Sequence, residues 1–296
     1  MNDEVLEKVK RAGAIASEAR LLGAGMVGEG VSLLSVAEEV EALIEKRGAK
    51  PAFPTNISIN EVAAHYSPST NDELKFSRGD LVKVDVGAHV DGYIGDTAQT
   101  VEVGTRNWGP LIDASAKGLG MAIEIVSEGV PIGALGGAIE RGVKSNGYLP
   151  VTNLTGHSMQ QYNLHAGISV ANYDDGNLTR VGKDMILAIE PFSTNGAGEV
   201  RNSKHGNIYR IMRDRELRDE KAAEHFRLLK ENFGTLPFCE RWCTKLDSKA
   251  PIHLKTLVRH GLLFAYPMLS EVRGGMVAQT EHTVAVSNGK ATVTTL

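Results

Sequence analysis

Hydrophobic positions recur with a helical period over residues 4–28, where Val5, Val9, Ala12, Ala16, Ala19, Leu22 and Met26 form one stripe and most charges fall elsewhere. Gly28 to Gly30 ends that helix. Ser35, with Glu38 three residues on as in a capping box, predicts a second helix reaching about Lys46. Residues 49–56, AKPAFPTN, hold two prolines and must be extended or turning. From Ile57 to Val62 the alternation predicts a strand that leads to Ala64-His65-Tyr66. A cleaner alternation follows, in which Val82, Val84 and Val86 interleave with Lys83, Asp85 and Gly87. Asp91-Gly92 then supplies a hairpin turn, because a tight primed turn needs positive φ.

Helical patterns return over Leu111–Ser127 and Ala134–Ser145. NLHAGISV, 163–170, reads as a short strand containing His165, and DMILAIEP, 184–191, as an apolar strand ending at Glu190-Pro191. Regular patterning lapses over FSTNGAGEVRNSKHGN, 192–207. From about 214 to 263 the pattern is helical, inside a chain that otherwise mixes strands and helices, so this interval reads as an inserted subdomain. The last section, 276–296, predicts a hairpin turning at Ser287-Asn288-Gly289, with Glu281 in its first strand.

Composition narrows the class. The 296 residues suffice for one large domain or two ordinary ones, and 42% hydrophobic with 23% charged residues is the balance of a globular protein. Net charge is −4, which gives no bulk argument for nucleic acid or an acidic membrane. Residues 210–231 carry seven basic and six acidic side chains, a solvated helix face rather than a nucleic-acid patch. No apolar run approaches the roughly 18 residues that span a bilayer. The N-terminus lacks the apolar core of a signal peptide, so the cytoplasm is the expected compartment. Cys239 and Cys243, four apart, suit neither a zinc knuckle nor a redox pair and read as buried free thiols.

The chemistry starts at the hairpin. With Asp91-Gly92 as the turn, Asp85 faces Ala98, and Asp96 lies two residues along on the same face, about 7–8 Å away. Two carboxylates on an apolar hairpin are costly unless a cation sits between them. Asp85, Glu190 and Glu281 each interrupt an apolar strand pattern, and His157 stands in a TGHS loop. Lys83 and Arg273 are too few to neutralise them all. Oxygen-rich sets with one imidazole suit Mn, Fe, Co or Zn in paired sites. Two readings stay open here: separate solvent-facing acids with an ordinary histidine, or one shared metal site.

Six segments go further. AFPTNISINEVAAHY, KVDVGAHVDGYIGDTAQTV, NLTGHSMQQYNLHAG, AIEPF, ENFGTLPF and TEHTV, in this order and over nearly the whole chain, resemble the type 2 methionine aminopeptidases. The resemblance implies an α/β (α+β) pita-bread fold, two pseudo-symmetric halves of antiparallel sheet flanked by helices. It implies a catalytic domain over 1–195 and 266–296 with a type 2 helical insertion over 196–265, which contains ENFGTLPF. The chain lacks the long charged N-terminal extension of eukaryotic type 2 enzymes and looks like the compact archaeal form.

The likeness also implies roles. Asp85 would chelate one of two divalent metals (Co, Mn, Fe, Zn or Ni), Asp96 and Glu281 would bridge both, and His157 and Glu190 would complete the other. The implied reaction is removal of the initiator methionine from nascent proteins and peptides with a small second residue, by a hydroxide that the two metals activate. Glu190 would accept the proton, His165 would bond the scissile carbonyl, and His65 would contact the amino end and leaving group. Phe53, Leu164, Phe192, Ile208 and Tyr266 would line the methionine pocket, with Tyr209 a second wall position beside Ile208; His205 gains no role. A nascent-chain substrate is compatible with transient ribosome contact, and a monomer without nucleic-acid or membrane partners is expected. Proline-specific aminopeptidases and prolidases share the fold and ligands but usually carry a separate N-terminal domain. A non-catalytic ribosome- or RNA-binding relative would be expected to lose ligands, and none is lost here.

Overall fold

The computed structural model describes residues 1–215, 217 and 219–296. Helix α1 (Asp3–Met26) begins where the Asn2 side chain accepts the Val5 amide at 2.8 Å, and Asp3 and Glu4 complement the positive end of the helix dipole. It runs over a sheet with α2 (Leu33–Lys46) beside it. That sheet comprises β1 (Lys50–Pro51), β2 (Asn56–Ile59), β4 (Leu81–Val90) and β5 (Tyr93–Glu102), while β3 (Val62–Ala64) departs to another sheet. Ala12, Ala16 and Ala19 of α1 pack on Val82, Val84 and Val86 of β4. Small residues let the helix lie very close, and a Cβ on Gly95 of β5 would fall 2.5 Å from Gly13 Cα. The stripe predicted for α1 turns away at its end: Gly23 is buried, whereas Leu22 is exposed.

The hairpin of β4 and β5 has the predicted register, with Val90 opposite Tyr93, Asp85 opposite Ala98 and Gly87 opposite Asp96. Asp91 and Gly92 take φ of 50° and 84°, as a primed turn requires.

The second half repeats the plan. Helices α3 (Gly109–Ile125) and α4 (Ile132–Lys144) cover a sheet that includes β7 (Thr155–Met159), β8 (Ser169–Ala171) and β9 (Ile186–Ile189). Its order is β16-β15-β9-β7-β8, with β15 (His282–Ser287) and β16 (Lys290–Val293) forming the C-terminal hairpin over Asn288-Gly289. Leu135, Ile139, Leu187, Ile189, Val284 and Val286 build its core. A small sheet of β6 (Leu149–Pro150), β10 (Phe192–Thr194) and β14 (Val277–Gln279) sits between the halves' connections.

A long ribbon of β11 (Val200–Ile211) and β13 (Leu263–Glu271) carries the late helices α5 (Glu220–Phe233), α6 (Glu240–Leu246) and α7 (Ala250–Arg259), with β12 (Phe238–Cys239) on its edge and β3 on the other. These helices have their own core, in which Phe226, Leu229, Phe238, Cys243, Leu254 and Leu257 meet. Both cysteines are free and buried, Cys239 ahead of α6 and Cys243 within it. Among the described residues no helix is long and apolar enough to cross a membrane.

Several local expectations are corrected. Ser32, not Ser35, precedes α2, and Ser35 turns its hydroxyl back to the Ser32 carbonyl at 2.8 Å inside the first turn. The strand expected over 57–62 breaks at Asn60, whose φ of 56° turns the chain between β2 and β3. His165 lies in a loop, because the strand there begins only at Ser169. The segment after residue 195 is not irregular: exposed polar residues hide the alternation of β11, which is a partly solvated ribbon. Glu281 occupies the break between β14 and β15 instead of a strand centre. Helix α5 starts at Glu220, later than 214; Glu216 and Arg218 of that expected helix lie outside the described residues.

Candidate metal centre

Asp96 and Glu281 come from the two halves and meet across the seam between them. Ala98 and Glu281 exchange backbone hydrogen bonds, at 3.0 and 3.4 Å. The Asp96 amide donates to Thr283 Oγ1 at 2.8 Å, and that hydroxyl donates back to the Asp96 carbonyl at 2.8 Å. Thr97 Oγ1 donates to the Glu281 carbonyl at 2.8 Å, and Thr100 Oγ1 to that of Gln279 at 2.7 Å. Buried threonines thus stitch β5 to the final strands and fix the two carboxylates against each other.

His157 on β7 joins them. Ligand atoms of Asp96, His157 and Glu281 all lie within 4.8 Å of one another, and all three residues are buried. His157 Nε2 stands 3.7 Å from Asp96 Oδ2 and 3.6 Å from Glu190 Oε1. Glu190, just past β9, is held from behind by Gln279 Nε2 at 3.3 Å. Asp85 enters from β4 on the face it shares with Gly87, opposite Asp96. All five line one cavity of about 240 Å³.

Such a cluster asks for cations. Burial first, then the neighbouring carboxylates, hold Asp96, Glu190 and Glu281 well above the usual carboxylate range, and burial pushes Asp85 up to about 7. Asp85 Oδ1 and Asp96 Oδ1 are buried without a hydrogen-bond partner among the described residues. No lysine or arginine forms an ion pair with any of the four carboxylates among the described residues, and Lys83 instead donates to the Asn60 carbonyl at 2.7 Å. Burial, then the neighbouring His165, drives His157 down to about 3, so its imidazole is neutral and keeps a lone pair for a metal. Four carboxylates and one neutral imidazole fit divalent cations.

The remaining predicted residues fall in the same cavity. Phe53, Leu164, Phe192, Ile208 and Tyr266 form its apolar wall, with His65 and His165 at its edge. The Phe53 ring lies flat on Gly87, where a Cβ would come within 2.2 Å of it. His65 has φ of 68°, and its Nδ1 contacts the Pro267 carbonyl at 3.2 Å. A carbonyl only accepts, so Nδ1 carries the proton and Nε2 is the ring's free acceptor. His165 packs beside His157 with ring centroids 4.3 Å apart. Tyr209 is a correction: it faces away from the cavity and stacks on Phe238, because neighbours on a strand alternate faces. His205 does not line the cavity either.

Sequence reasoning passed over Gln279, Pro237, Arg20 and Thr283. Pro237 lines the cavity. Gln279 precedes Glu281 by two residues, and its amide in an apolar strand was the available signal. Arg20, buried on α1 amid alanines, raises the local potential behind Glu281.

The sequence matches metallopeptidase family M24 over residues 7–288. It is 46% identical to a methionine aminopeptidase of Archaeoglobus fulgidus over 295 residues, covering all of both chains. Among solved structures, a thermophilic Arx1 superposes with a TM-score of 0.87 at 16% identity, covering 99% of this chain and 91% of that one. A methionine aminopeptidase from Thermotoga maritima gives 0.73 at 24% identity, covering 100% and 98%.

Proposed function

The chain belongs to metallopeptidase family M24, and on that footing we propose that it removes the N-terminal methionine from peptides and nascent proteins whose second residue is small. What carries this reading is the joining of a carboxylate-rich cluster that fits divalent cations to apolar lining residues in one cavity, in a chain similar over its full length to methionine aminopeptidases. Asp85, Asp96, His157, Glu190 and Glu281 would hold two divalent cations, Co, Mn, Fe, Zn or Ni, whose Lewis acidity lowers the pKa of water and polarises the carbonyl. Asp96 and Glu281, which meet beside His157, would be central to that ligand set.

The chain's own groups do the rest. Phe53, Leu164, Phe192, Ile208 and Tyr266 receive the unbranched methionine side chain. Glu190, braced by Gln279, accepts the proton of the attacking water and passes it to the nitrogen of the leaving amine as the C–N bond breaks. His165 donates to the scissile carbonyl as negative charge develops there. His65 Nε2, left free by the bond at Nδ1, accepts from the amide that becomes the leaving amine. The carboxylates also receive the free α-amino group, which restricts cleavage to the first bond. We take residues 196–265 as a type 2 insertion on the catalytic domain, and the protein as a cytoplasmic monomer that meets its substrate as chains emerge from the ribosome.

Protein reconstituted with Mn²⁺ or Co²⁺ should release methionine from Met-Ala-Ser and not cleave Ala-Pro or Ala-Pro-Ser. No methionine release with any divalent metal overturns the reading, and X-Pro cleavage alone would assign a prolidase or proline-specific aminopeptidase.

Pocket depth depends on Gly87. In Gly87→Ala the new Cβ forces Phe53 toward the methionine site, since the ring lies within 2.2 Å of it. KM for Met-Ala-Ser should rise roughly tenfold with little change in bound metal. Steady-state kinetics beside metal analysis checks this.

A further inference from the structure

We propose that Tyr162 is a positioning residue for this reaction, one that sets His165 and Leu164 in the cleft. The inference rests on the function proposed above. Tyr162 stands at the tip of a tight turn in which Gln160 and Asn163 exchange both backbone hydrogen bonds, each 2.9 Å. Its φ is 56°, a left-handed conformation that bulky L side chains rarely adopt. The side chain is 47% exposed, so its own burial is a poor offset for that strain. Backbone strain of this kind persists where the surroundings over-determine it, and it concentrates at functional sites.

Three stretches of chain over-determine Tyr162. Its amide donates to the Gly92 carbonyl at 2.8 Å, and Gln161 Nε2 donates to the Asp91 carbonyl at 2.8 Å. Its ring lies on Gly92, where a Cβ would fall 2.4 Å from it. The ring also meets His89 edge-on at 5.7 Å, and His89 Nδ1 accepts the Gly92 amide at 3.1 Å. From the other side, Thr235 Oγ1 donates to the Tyr162 carbonyl. One residue therefore clasps the tip of the hairpin that carries Asp85 and Asp96, the loop that carries His165, and the turn after α5.

The consequence follows from where the chain goes next. Leu164 and His165 are two and three residues on, and both line the cavity. His165 makes no side-chain hydrogen bond among the described residues, so its ring takes its position from the backbone and from packing on His157. That backbone is tied downstream by the Ala166 amide to the Ser158 carbonyl at 2.7 Å, and upstream by Tyr162. Among the described residues the phenol hydroxyl makes no hydrogen bond, so the clasp needs the ring and not the oxygen.

The test is a double-mutant cycle with the holoenzyme on Met-Ala-Ser. Tyr162→Ala should lower kcat by about tenfold or more, with metal content and Tm unchanged, and Tyr162→Phe should restore wild-type kcat. In a His165→Ala background the same change should cost less than about twofold, because the group it positions is gone. Equal losses in both backgrounds, an unchanged kcat, or a loss that follows metal content would overturn the proposal. If Tyr162→Ala does not fold, Thr235→Val removes only the hydroxyl and should lower kcat by about threefold in the same pattern. Absence of methionine release by the wild type would count against the proposed function instead. Amide hydrogen exchange then tests the clasp by itself: residues 164–166 should exchange about tenfold faster in the variant with β9 unchanged, and equal protection overturns it.

Discussion

Asp96→Asn should reduce methionine release on the order of 10³-fold or more, and it should make the metal-free protein more stable than wild type. Loss of activity follows from position: Asp96 faces His157 and Glu281 and stands across the seam that joins the halves. The gain in stability follows from charge. Without cations, four buried carboxylates press on one another, and Asp96 is held well above its ordinary value by burial and by Asp85. Its folded pKa exceeds its unfolded one, so above about pH 4 the unfolded chain binds fewer protons and stability falls as pH rises. Each such proton contributes at most about 1.4 kcal/mol per pH unit. The gap in urea-unfolding free energy between variant and wild type, both in chelator, should therefore widen between about pH 4 and pH 7, where Asp85 also titrates. Buried histidines act the other way: His157, near 3, and His89 and His282, near 4, favour the fold as pH rises through the histidine range. His89 and His282 are common to both proteins, so the difference isolates the cluster that Asp96 forms with its neighbouring carboxylates and His157. Mn²⁺ should raise the Tm of wild type at pH 7.5 and that of Asp96→Asn far less. A variant less stable than wild type without metal, or one that retains the wild-type metal content, would refute this account.

Glu41→Gln should cost about 3–5 kcal/mol of folding free energy, the largest stability loss expected from a single change outside the metal centre. Arg241 on α6 is 1% exposed, and its guanidinium grips Glu41 on α2 with two bonds of 2.6 and 2.8 Å. Trp242 Nε1 donates to the same carboxylate at 2.8 Å, and the Thr55 amide does so at 3.2 Å. Glutamine has one carbonyl oxygen for these donors and leaves the buried guanidinium uncompensated. Because this cluster helps tie the late helices to the first half, limited proteolysis should also cut the α5–α7 region faster. Replacing both partners by apolar residues of similar volume should recover much of the loss. A Glu41→Gln variant with wild-type urea midpoint would show that the pair contributes nothing net.

Much of the architecture could be read along the chain, since periodic burial is a local signal. The stripe of α1, the hairpin at Asp91-Gly92 and the one at Asn288-Gly289 each need only neighbours in sequence and a residue that tolerates positive φ. Asp85, Glu190 and Glu281 stand out because each interrupts an apolar pattern, Asp96 because the hairpin sets it on the face of Asp85, and the resemblance of six ordered segments supplies their expected roles. Elements without such a signal were missed. Strand β11 exposes so many polar residues that no alternation survives, and His165 sits in a loop whose apolar neighbours imitate a strand.

Local pattern marks the residues that carry ionisable chemistry, most of the helices and hairpins, and the turn that sets Asp85 and Asp96 two residues apart on one face. Long-range packing brings Asp96 and Glu281 together, because threonine hydrogen bonds across the seam join strands far apart in the chain. It alone decided that Gln279 braces Glu190, that Glu41 receives Arg241, and that Tyr162 is held in a left-handed conformation. Periodicity records which side of an element is buried, whereas the partner buried against it is set by long-range packing that no local pattern encodes.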